Sequence, residues 1–354
     1  MTIRYIDAGT VPFFRSQSIY HGLGYAQKKN TPDTIVLVTP ASKYISIGNF
    51  QDPIREINLA YSEENNLPLI RRQTGGGAVY IDENQLFTQW IFQSGSLPAR
   101  VSQRFEFFLK PLIETHRFFG IDAYFHPVND VHVKGRKIAG TGAATIGNAE
   151  VLTGNFLFDF DYEAMTNVLN LPGTRKMVSQ SLRKYVTTIS REISNYRPDD
   201  WKKIYLNQIE KHLGCSIMEG EFSDQEIKEI EKWDRKLTGQ KWLFSVKRQP
   251  EKIKLVKIHA GFWIGIAPLN SHPESGFVEI GMLGDCIEYF QIEQGRMTNG
   301  IAKVLEGAEI TYKGIAERLA ERKNYVNDKL LMTVEELTTL ILTIKKERDG
   351  LAGV

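Results

Sequence analysis

Short apolar runs, broken by Gly, Pro and Asn, follow one another through residues 1–190 with few helical segments between them. Runs of this length that are rich in β-branched and aromatic residues are typical of β-strands. The predicted strands are Thr34–Thr39, Tyr44–Ile47, Leu69–Arg72, Ala78–Ile81, Leu86–Phe92, Val131–Val133, Lys137–Thr141 and Leu152–Phe158. Helices are predicted at Ser16–Lys28, Ile54–Asn65 and Val101–Phe119. This excess of strands predicts an α+β domain with a mixed sheet and not a regular βαβ winding.

The chain is 354 residues long, which exceeds one average domain and predicts two. Pro198 begins a helical stretch that reaches Gly214, and Ser223 with Glu226 has the form of a helix capping box. Beyond them, strands and then amphipathic helices are predicted at Lys252–Ile266, Phe277–Leu283, Ile287–Ile292, Thr298–Leu305, Tyr312–Arg322 and Thr333–Lys346. We therefore predict one domain at residues 1–195, and a helical bridge with a smaller α+β domain at residues 196–354.

Composition excludes several classes of protein. The 44 basic and 42 acidic residues nearly balance, whereas proteins that coat nucleic acid or membrane surfaces usually carry a basic excess. No stretch approaches the roughly 20 apolar residues that span a membrane, and no apolar signal core follows the N-terminus. The cysteines, Cys215 and Cys286, lack the spacing of a zinc site or a disulfide framework. We expect a cytoplasmic protein that binds neither nucleic acid nor membrane.

Three consecutive glycines, Gly75 to Gly77, lie between two predicted strands and follow Arg71 and Arg72 closely. They would be costly in a mere turn, because glycine loses the most backbone freedom on folding. Such a segment can approach a ligand and present successive N–H groups to an anion, and the arginines add bidentate donors. It is neither a Walker A loop nor a Rossmann fingerprint. The alternative interpretation is a glycine-rich hairpin with two solvated arginines.

A second segment runs from Asn129 to Gly142 and reads as a strand, a tight turn at Gly135 and a returning strand that ends in small residues. Lys137 is flanked by apolar and small residues, so its ammonium is predicted to enter a lined cavity. There it would neutralise a carboxylate and a phosphate that react with each other, and Asp130 would hold Mg²⁺. The alternative is a surface hairpin whose Lys134, Arg136 and Lys137 are solvated.

A third segment, Leu152 to Phe158, places a small polar turn before a buried strand. Either the Thr153 hydroxyl or the backbone near Gly154 contacts a nucleotide, or the segment is a plain turn into a strand.

These segments together resemble a known family. Arg71-Arg72 followed by Gly75-Gly76-Gly77-Ala78-Val79, then Asp82 and Asn84, resembles the signature loop of the lipoate–protein ligase A family. Asn129-Asp130 and Lys137-Ile138-Ala139-Gly140-Thr141 resemble its second motif, whose lysine contacts lipoate and the activated phosphate. Ser181 to Thr187 resembles a third. The resemblance covers about residues 5–190 well and the C-terminal half less strongly. Ile81 and Leu152-Thr153 depart from it, because the family commonly has His there.

The resemblance implies the fold of biotin and lipoate protein ligases, a mixed sheet flanked by helices. It also implies a reaction in which lipoate attacks ATP to give lipoyl-AMP, and a lysine of an acceptor protein then takes the lipoyl group. The acceptor would be an H-protein, a 2-oxoacid dehydrogenase subunit or another lipoate-binding protein. By the same resemblance Lys137 is catalytic and Asp130 holds Mg²⁺. The residues expected to bind ATP or lipoyl-AMP are Arg71, Arg72, Gly75, Gly76, Gly77, Ala78, Val79, Tyr80, Asn129, Lys137, Gly140, Thr141 and Thr153.

Three alternatives remain open. An octanoyltransferase of the same superfamily passes the acyl group through a cysteine, and residues 1–200 contain none. A biotin protein ligase also adenylates an acid, but its signature loop generally has fewer glycines. A binding module that retained the pocket and lost turnover would bind lipoate without exchanging pyrophosphate.

Overall fold

The computed structural model describes residues 3–93, 95, 97–98, 100–173, 175–248, 252–269, 276–293, 299–320, 322, 326 and 332–352. The chain divides into two compact units, of which the first contains Met1–Asn170 and Arg183–Arg248. The second contains Leu171–Leu182 and Gln249–Val354. This division differs from the predicted boundary at residue 195, since residues 196–248 belong to the first unit.

The first unit holds the strands on which the predicted motifs lie. They are β1 (Ile3–Val11), β2 (Thr34–Pro40), β3 (Tyr44–Ile47), β4 (Leu69–Arg71), β5 (Val79–Ile81), β6 (Gln85–Gln93), β7 (Tyr124–His126), β8 (Asp130–Val133), β9 (Arg136–Ala139), β10 (Thr141–Ile146), β11 (Ala149–Leu157) and β12 (Ile217–Glu219). Most predicted strands are confirmed within a few residues. The predicted strand Lys137–Thr141 is instead divided between β9 and β10, and β1, β7 and β12 were not predicted.

The helices of this part of the chain are α1 (Arg15–Ala26), α2 (Pro53–Glu56), α3 (Leu59–Glu64), α4 (Val101–Phe118), α5 (Tyr162–Val168), α6 (Lys176–Tyr185), α7 (Ile189–Glu192), α8 (Pro198–Leu213), α9 (Asp224–Leu237) and α10 (Gln240–Leu243). Helix α6 begins in the second unit and ends in the first. The predicted helix Ile54–Asn65 is divided into α2 and α3, because Asn58 caps α3 by accepting a hydrogen bond from the Tyr61 amide. The capping box predicted at Ser223 and Glu226 is confirmed.

A mixed sheet with the order β10-β11-β6-β2-β1-β12 forms the centre of the first unit. Strands β1 and β2 are parallel and joined through α1, whereas β2, β6, β11 and β10 pair antiparallel in succession. The small sheet β4-β3-β5 carries the glycine segment, which is residues 72–78. The small sheet β7-β8-β9 carries most of the lysine segment, which is residues 129–142. The α+β fold class with a mixed sheet is confirmed.

Alternate residues of β2 face two different cores, as the two-residue period of a strand requires. Ile35 and Leu37 lie in one core with residues of α4 and α8, including Phe108 and Trp201. Val36 and Val38 lie in the other with residues of α1 and α9. The central sheet is therefore covered by helices on both faces.

The packing of α9 explains why the first unit extends to residue 248. A Cβ atom at Gly22 of α1 would lie 2.6 Å from the backbone of Ile230, so the two helices approach each other where one has no side chain. Strand β12 also pairs with β1, placing Ile217 beside Ile3. These contacts are distant in sequence, and local residue patterns do not reveal them.

The second unit contains an antiparallel meander and a group of helices. Its elements are β13 (Lys254–His259), β14 (Phe262–Pro268), β15 (Phe277–Leu283), β16 (Cys286–Glu293), α11 (Asn299–Leu305), α12 (Tyr312–Ala320) and α13 (Val334–Ala352). Met282 and Ile287 from the sheet share one core with Leu319 and Ile341 from the helices. This is the predicted small α+β domain. Thr298 and Glu321, which belong to two predicted helices, lie outside the described residues. Over the described part of the chain, no helix has both the length and the apolarity that crossing a membrane requires.

Candidate active site

The glycine segment joins β4 to β5, and hydrogen bonds from Arg72 fix its backbone conformation. One guanidinium nitrogen, Nη2, donates to the carbonyls of Gly75 and Gly77, each at 2.8 Å. The other, Nη1, donates to the Ser46 carbonyl at 2.8 Å. The C=O and N–H of a trans peptide point in opposite directions. The amides of Gly76 and Ala78 therefore point away from Arg72, which gives the loop the row of N–H donors that an anion site needs.

The conformation of the loop requires two glycines, Gly76 within it and Gly48 directly after β3. Gly76 has φ +92°, a conformation that side chains with a Cβ rarely adopt, and its Cβ would lie 3.1 Å from Arg72 Nη2. A Cβ on Gly48 would lie 2.1 Å from the Gly76 carbonyl oxygen, so the backbone of residue 48 meets the loop directly. A Cβ on Gly75 or Gly77 would meet no described atom within 4 Å. The loop is therefore open on the side of those two glycines.

Arg71 is fully buried and binds protein carbonyls. Its Nη1 donates to the Asn49 carbonyl at 2.8 Å and to the Gly48 carbonyl at 3.2 Å. Its Nη2 donates to the Leu243 carbonyl at 2.7 Å. Burial lowers the pKa of the guanidinium, and the carbonyl dipoles replace the water it has lost. Most donors of Arg71 are thus directed at the protein, although the sequence predicted a contact with phosphate. The contact of Arg71 with phosphate stays a prediction, whereas the alternative of two solvated arginines is wrong, because Arg71 is 0% and Arg72 is 9% exposed.

Lys137 projects from β9 beside a buried carboxylate. Its Nζ lies 2.7 Å from Asp130 Oδ1, and the Asp130 side chain is 1% exposed while that of Lys137 is 24% exposed. The pairing of β8 with β9 is irregular between Val131 and His132, where β9 has one extra residue. Such a bulge changes the direction of neighbouring side chains. Lys137 therefore has an anionic partner and keeps part of its surface open to a ligand.

The turn between β8 and β9 is fixed by a second ion-pair group. Glu192, whose side chain is 3% exposed, lies 2.6 Å from Arg136 Nη2 and 3.3 Å from Lys134 Nζ. It also accepts a hydrogen bond from the Thr187 hydroxyl at 2.7 Å. Burial alone would raise the pKa of Glu192, but these hydrogen bonds and charges outweigh it and hold the pKa below its ordinary value. The predicted alternative of a hairpin with three solvated cations therefore applies only to Lys134, which is 73% exposed.

The third predicted motif, Ser181 to Thr187, is divided between the two units. Its last residues lie along β9: Val186 forms a parallel bridge with Lys137, and the Thr187 amide donates to the Lys137 carbonyl at 2.8 Å. The backbone that carries Lys137 is thus held from this side.

The glycine segment and the lysine segment lie close together. A Cβ on Gly142 would lie 3.4 Å from Thr74 Cβ and 3.5 Å from Thr153 Oγ1. Thr74 directly precedes the three glycines, and Thr153 belongs to the predicted segment Leu152 to Phe158. The Cε of Lys137 lies 4.0 Å from the place of a Cβ on Gly140. Gly140 and Gly142 therefore let the three segments approach one another within one unit.

Asn155, which was not among the predicted site residues, connects these segments. Its Oδ1 accepts a hydrogen bond from the Gly140 amide at 2.8 Å, and its Nδ2 donates to Gln85 Oε1 at 3.0 Å. Gln85 in turn donates to the carbonyl of Tyr80 at 3.2 Å. The sequence signal was a polar residue inside an otherwise apolar buried strand, since such a group is normally hydrogen-bonded.

The remaining predicted residues lie around this arrangement. The Asn129 carbonyl accepts a hydrogen bond from the Thr141 hydroxyl. Val79 is 38% exposed beside the loop, whereas the Tyr80 side chain is buried, and burial raises its pKa. Ile81 and Leu152, two of the positions that depart from the resemblance, are 3% exposed and belong to the core.

Asp130 provides one hard oxygen donor that suits Mg²⁺. In the described part of the chain it belongs to no group of three or more acidic, His or Cys ligands. Mg²⁺ is commonly held by one or two carboxylates together with substrate phosphates and water. The residue therefore fits a metal that arrives with a nucleotide and does not form a complete metal site by itself.

The chain is similar to known proteins of one family. Residues 21–210, more than half of the chain, match the lipoyl protein ligase A/B catalytic domain family. A lipoate–protein ligase of Streptococcus pyogenes is 27% identical over 66% of this chain and 64% of its own length. Lipoate–protein ligase 2 of Staphylococcus aureus is 26% identical over 84% of this chain and 87% of its own. The octanoyltransferase LipM of Halalkalibacterium halodurans is 24% identical over 65% of this chain and 93% of its own.

Solved structures share the fold. A bipartite lipoate protein ligase of Thermoplasma acidophilum, studied with its E2 lipoyl domain, has a TM-score of 0.65 at 21% identity, covering 71% of this chain and 99% of its own. Lipoate-protein ligase A bound with ATP has a TM-score of 0.61 at 20% identity, covering 70% of this chain and 100% of its own. The glycine segment, the lysine segment and the matched family agree, and this chain belongs to the lipoyl protein ligase A/B catalytic domain family.

Proposed function

We propose that this protein is an ATP-dependent lipoate–protein ligase, which activates lipoate as lipoyl-AMP and transfers the lipoyl group to a lysine of an acceptor lipoyl domain. The observation that carries the proposal is the close approach of the glycine segment and the Lys137 segment at Gly142 and Thr74. The loop amides and the partly exposed Lys137 ammonium would then face one ligand within the first unit. Two anions that must react with each other need this kind of fixed positive environment.

In the first step the lipoate carboxylate attacks the α-phosphorus of ATP, and the bond from this phosphorus to pyrophosphate breaks. The amides of Gly76 and Ala78 would donate to phosphate oxygens. The Lys137 ammonium has three N–H donors, of which Asp130 takes one. The others would bind the carboxylate and the α-phosphate and so reduce their repulsion. Holding both reactants in place lowers the barrier further, by roughly 7–11 kcal/mol at the limit.

In the second step the neutral ε-amine of the acceptor lysine attacks the carbonyl carbon of lipoyl-AMP. The amide bond forms, AMP leaves, and the amine gives up a proton. Lys137 and the loop amides would stabilise the charge of the departing AMP, as they stabilised it on ATP. The acceptor would be a lipoyl domain, for example of an H-protein or of a 2-oxoacid dehydrogenase subunit. Support comes from the Thermoplasma relative that was studied with an E2 lipoyl domain.

Mg²⁺ would be held by Asp130 together with phosphate oxygens. When bound, it would neutralise charge on the phosphate chain.

The position of Cys215 argues against a cysteine-dependent octanoyltransferase. Cys215 precedes β12, which is one edge of the central sheet, whereas Gly140 and the lysine segment lead into β10 at the other edge. Five strand spacings of about 4.8 Å separate these edges, or about 24 Å. Cys286 is exposed in the second unit. An acyl-thioester on Cys215 would form far from Lys137.

Lipoate-dependent exchange of radioactive pyrophosphate into ATP tests the first step, with octanoate and biotin as competing acids. Mass spectrometry of a purified lipoyl domain, incubated with enzyme, lipoate, ATP and Mg²⁺, tests the second step. We expect exchange with lipoate but not with biotin, and a mass gain on the lipoyl domain that requires ATP. Transfer from octanoyl carrier protein without ATP would overturn the proposal in favour of an octanoyltransferase, and binding of lipoate without exchange would favour a non-catalytic module.

A further inference from the structure

A fully buried histidine on α1 touches the backbone of the glycine segment. His21 Nε2 accepts a hydrogen bond from the Gln73 amide at 3.1 Å. Its Nδ1 lies 2.7 Å from the carbonyl of Gln17, one helical turn earlier. Because a carbonyl only accepts, Nδ1 carries the proton and Nε2 is left as the acceptor. The ring therefore offers one lone pair, and that lone pair binds the residue two positions before Gly75.

The ring is held on both faces by other aromatic groups. It stacks on Tyr20 with centroids 4.2 Å apart and on Trp233 of α9 with centroids 4.5 Å apart. The Tyr20 hydroxyl donates to Gln17 Oε1 at 3.0 Å and lies beside the side chain of Thr74, the next residue of the loop. Two consecutive loop residues, Gln73 and Thr74, thus lie against α1. Trp233 of α9 packs on the ring of His21.

His21 also keeps the tautomer that this contact needs. Burial lowers its pKa to about 3, with the charge of Lys236 acting in the same direction. The ring stays neutral at physiological pH, and Nε2 does not become a donor that would oppose the Gln73 N–H.

We propose that His21 is a positioning residue for ATP binding, which acts through Gln73 to hold the glycine segment with its amides directed at the nucleotide. The ATP part of this inference rests on the proposed function. The role of His21 in ordering the loop does not depend on the proposed function. His21 is not expected to touch either substrate, so its loss should act on the binding of ATP more than on the binding of lipoate.

The chain provides a matched control in His116 of α4. His116 is also fully buried, its Nδ1 lies 2.8 Å from the carbonyl of Leu112 one turn earlier, and it packs against Trp201 and Phe156. Among the described residues its Nε2 has no hydrogen-bond partner. The variants His21→Phe and His116→Phe therefore make the same chemical change at two buried sites, and only the first removes an acceptor from the glycine segment.

The first measurement is hydrogen exchange of the backbone amides of residues 73–78 in the unliganded protein. We expect His21→Phe to speed exchange about tenfold and His116→Phe to leave it within about twofold of wild type, since one hydrogen bond is worth about this factor. His21→Gln, whose side-chain carbonyl can reach the place of Nε2, should restore most of the protection. His21→Asn, which reaches only the place of Nδ1, should not, and this pair gives the answer if the Phe variant does not fold.

The second measurement is pyrophosphate exchange in the same variants. We expect His21→Phe to raise the KM for ATP about five- to tenfold while the KM for lipoate and kcat stay within about twofold. Equal behaviour of His21→Phe and His116→Phe in both measurements would overturn the inference. If wild-type protein shows no lipoate-dependent exchange, the proposed function fails, and the hydrogen-exchange result still decides whether His21 orders the loop.

Discussion

Arg71 and Trp242 are joined by hydrogen bonds in both directions. The Trp242 indole Nε1 donates to the Arg71 carbonyl at 2.9 Å, and the Arg71 Nε donates to the Trp242 carbonyl at 3.2 Å. The two residues are 171 positions apart in sequence. Arg71 ends β4, from which the glycine segment begins, and Trp242 lies in α10. The segment that follows α9 therefore fixes the base of the loop.

This relationship makes Arg71 a test of stability. Arg71→Lys keeps the charge but loses the planar set of donors that reaches two separate chain segments. We expect it to lower the free energy of unfolding by about 2–4 kcal/mol, because buried carbonyls and a buried charge lose partners. Arg15→Lys is the control, since the Arg15 side chain is 36% exposed and a lysine keeps the charge that pairs with Asp234, so it should cost below about 1 kcal/mol. Equal losses in urea denaturation would contradict the assigned role of Arg71.

Lys137 is expected to be essential for adenylation. Lys137→Ala should lower the rate of lipoate-dependent pyrophosphate exchange by at least about 100-fold, the typical effect of removing one charge-stabilising donor. Lys134→Ala on the same hairpin should remain within about twofold, because Lys134 is 73% exposed. Lys137→Ala leaves Asp130 buried without its cation, so the double variant Asp130→Asn with Lys137→Ala checks that folding is kept. Exchange at the wild-type rate in Lys137→Ala would show that this lysine is not catalytic.

The glycines of the loop should separate into two kinds. Gly76→Ala strains a residue at φ +92° and places a Cβ 3.1 Å from Arg72, so it should cost about 1–2 kcal/mol of stability. Gly75→Ala meets no described atom within 4 Å and should change the stability by less than about 0.5 kcal/mol. If ATP uses the open space, Gly75→Ala should nevertheless raise its KM. Urea denaturation and steady-state kinetics measure both effects, and a destabilised but kinetically normal Gly75→Ala would contradict this arrangement.

The buried histidines should make stability depend on pH below neutrality. Burial lowers the pKa of His116 from 6.5 to about 4. Between these values the unfolded chain binds more protons than the folded one, so the unfolding free energy falls as the pH falls. The contribution of His116 to the unfolding free energy is fully present above about pH 6.5 and is lost towards about pH 4. Replacing His116 with Phe should reduce this slope by up to about 1.4 kcal/mol per pH unit. Parallel curves for the two proteins from pH 7 to pH 4.5 would contradict the prediction.

Most strands could be predicted because their apolar residues are continuous or alternate over a short run. Strand β1 could not, since Asp7, Ala8 and Gly9 interrupt its apolar pattern, and its pairing with β2 and β12 is what keeps it extended. The division between β9 and β10 was missed for a related reason. The residues on both sides of Gly140 suit one strand, and only the pairing of β10 with β11 separates them.

The sequence by itself determined the chemistry that is available: three glycines, a lysine among small residues and an acidic residue on the preceding strand. These signals are local, because the glycine run and the lysine hairpin each need only neighbouring residues to be recognised. Tertiary structure decided which groups the segments present. In the folded protein Arg71 and Arg72 donate to backbone carbonyls, and His21 accepts a hydrogen bond from the Gln73 amide. Residues 196–248 belong to the first unit. The physical reason is that a buried donor takes its direction from the acceptor that replaces water, and here that acceptor often lies far away in the chain.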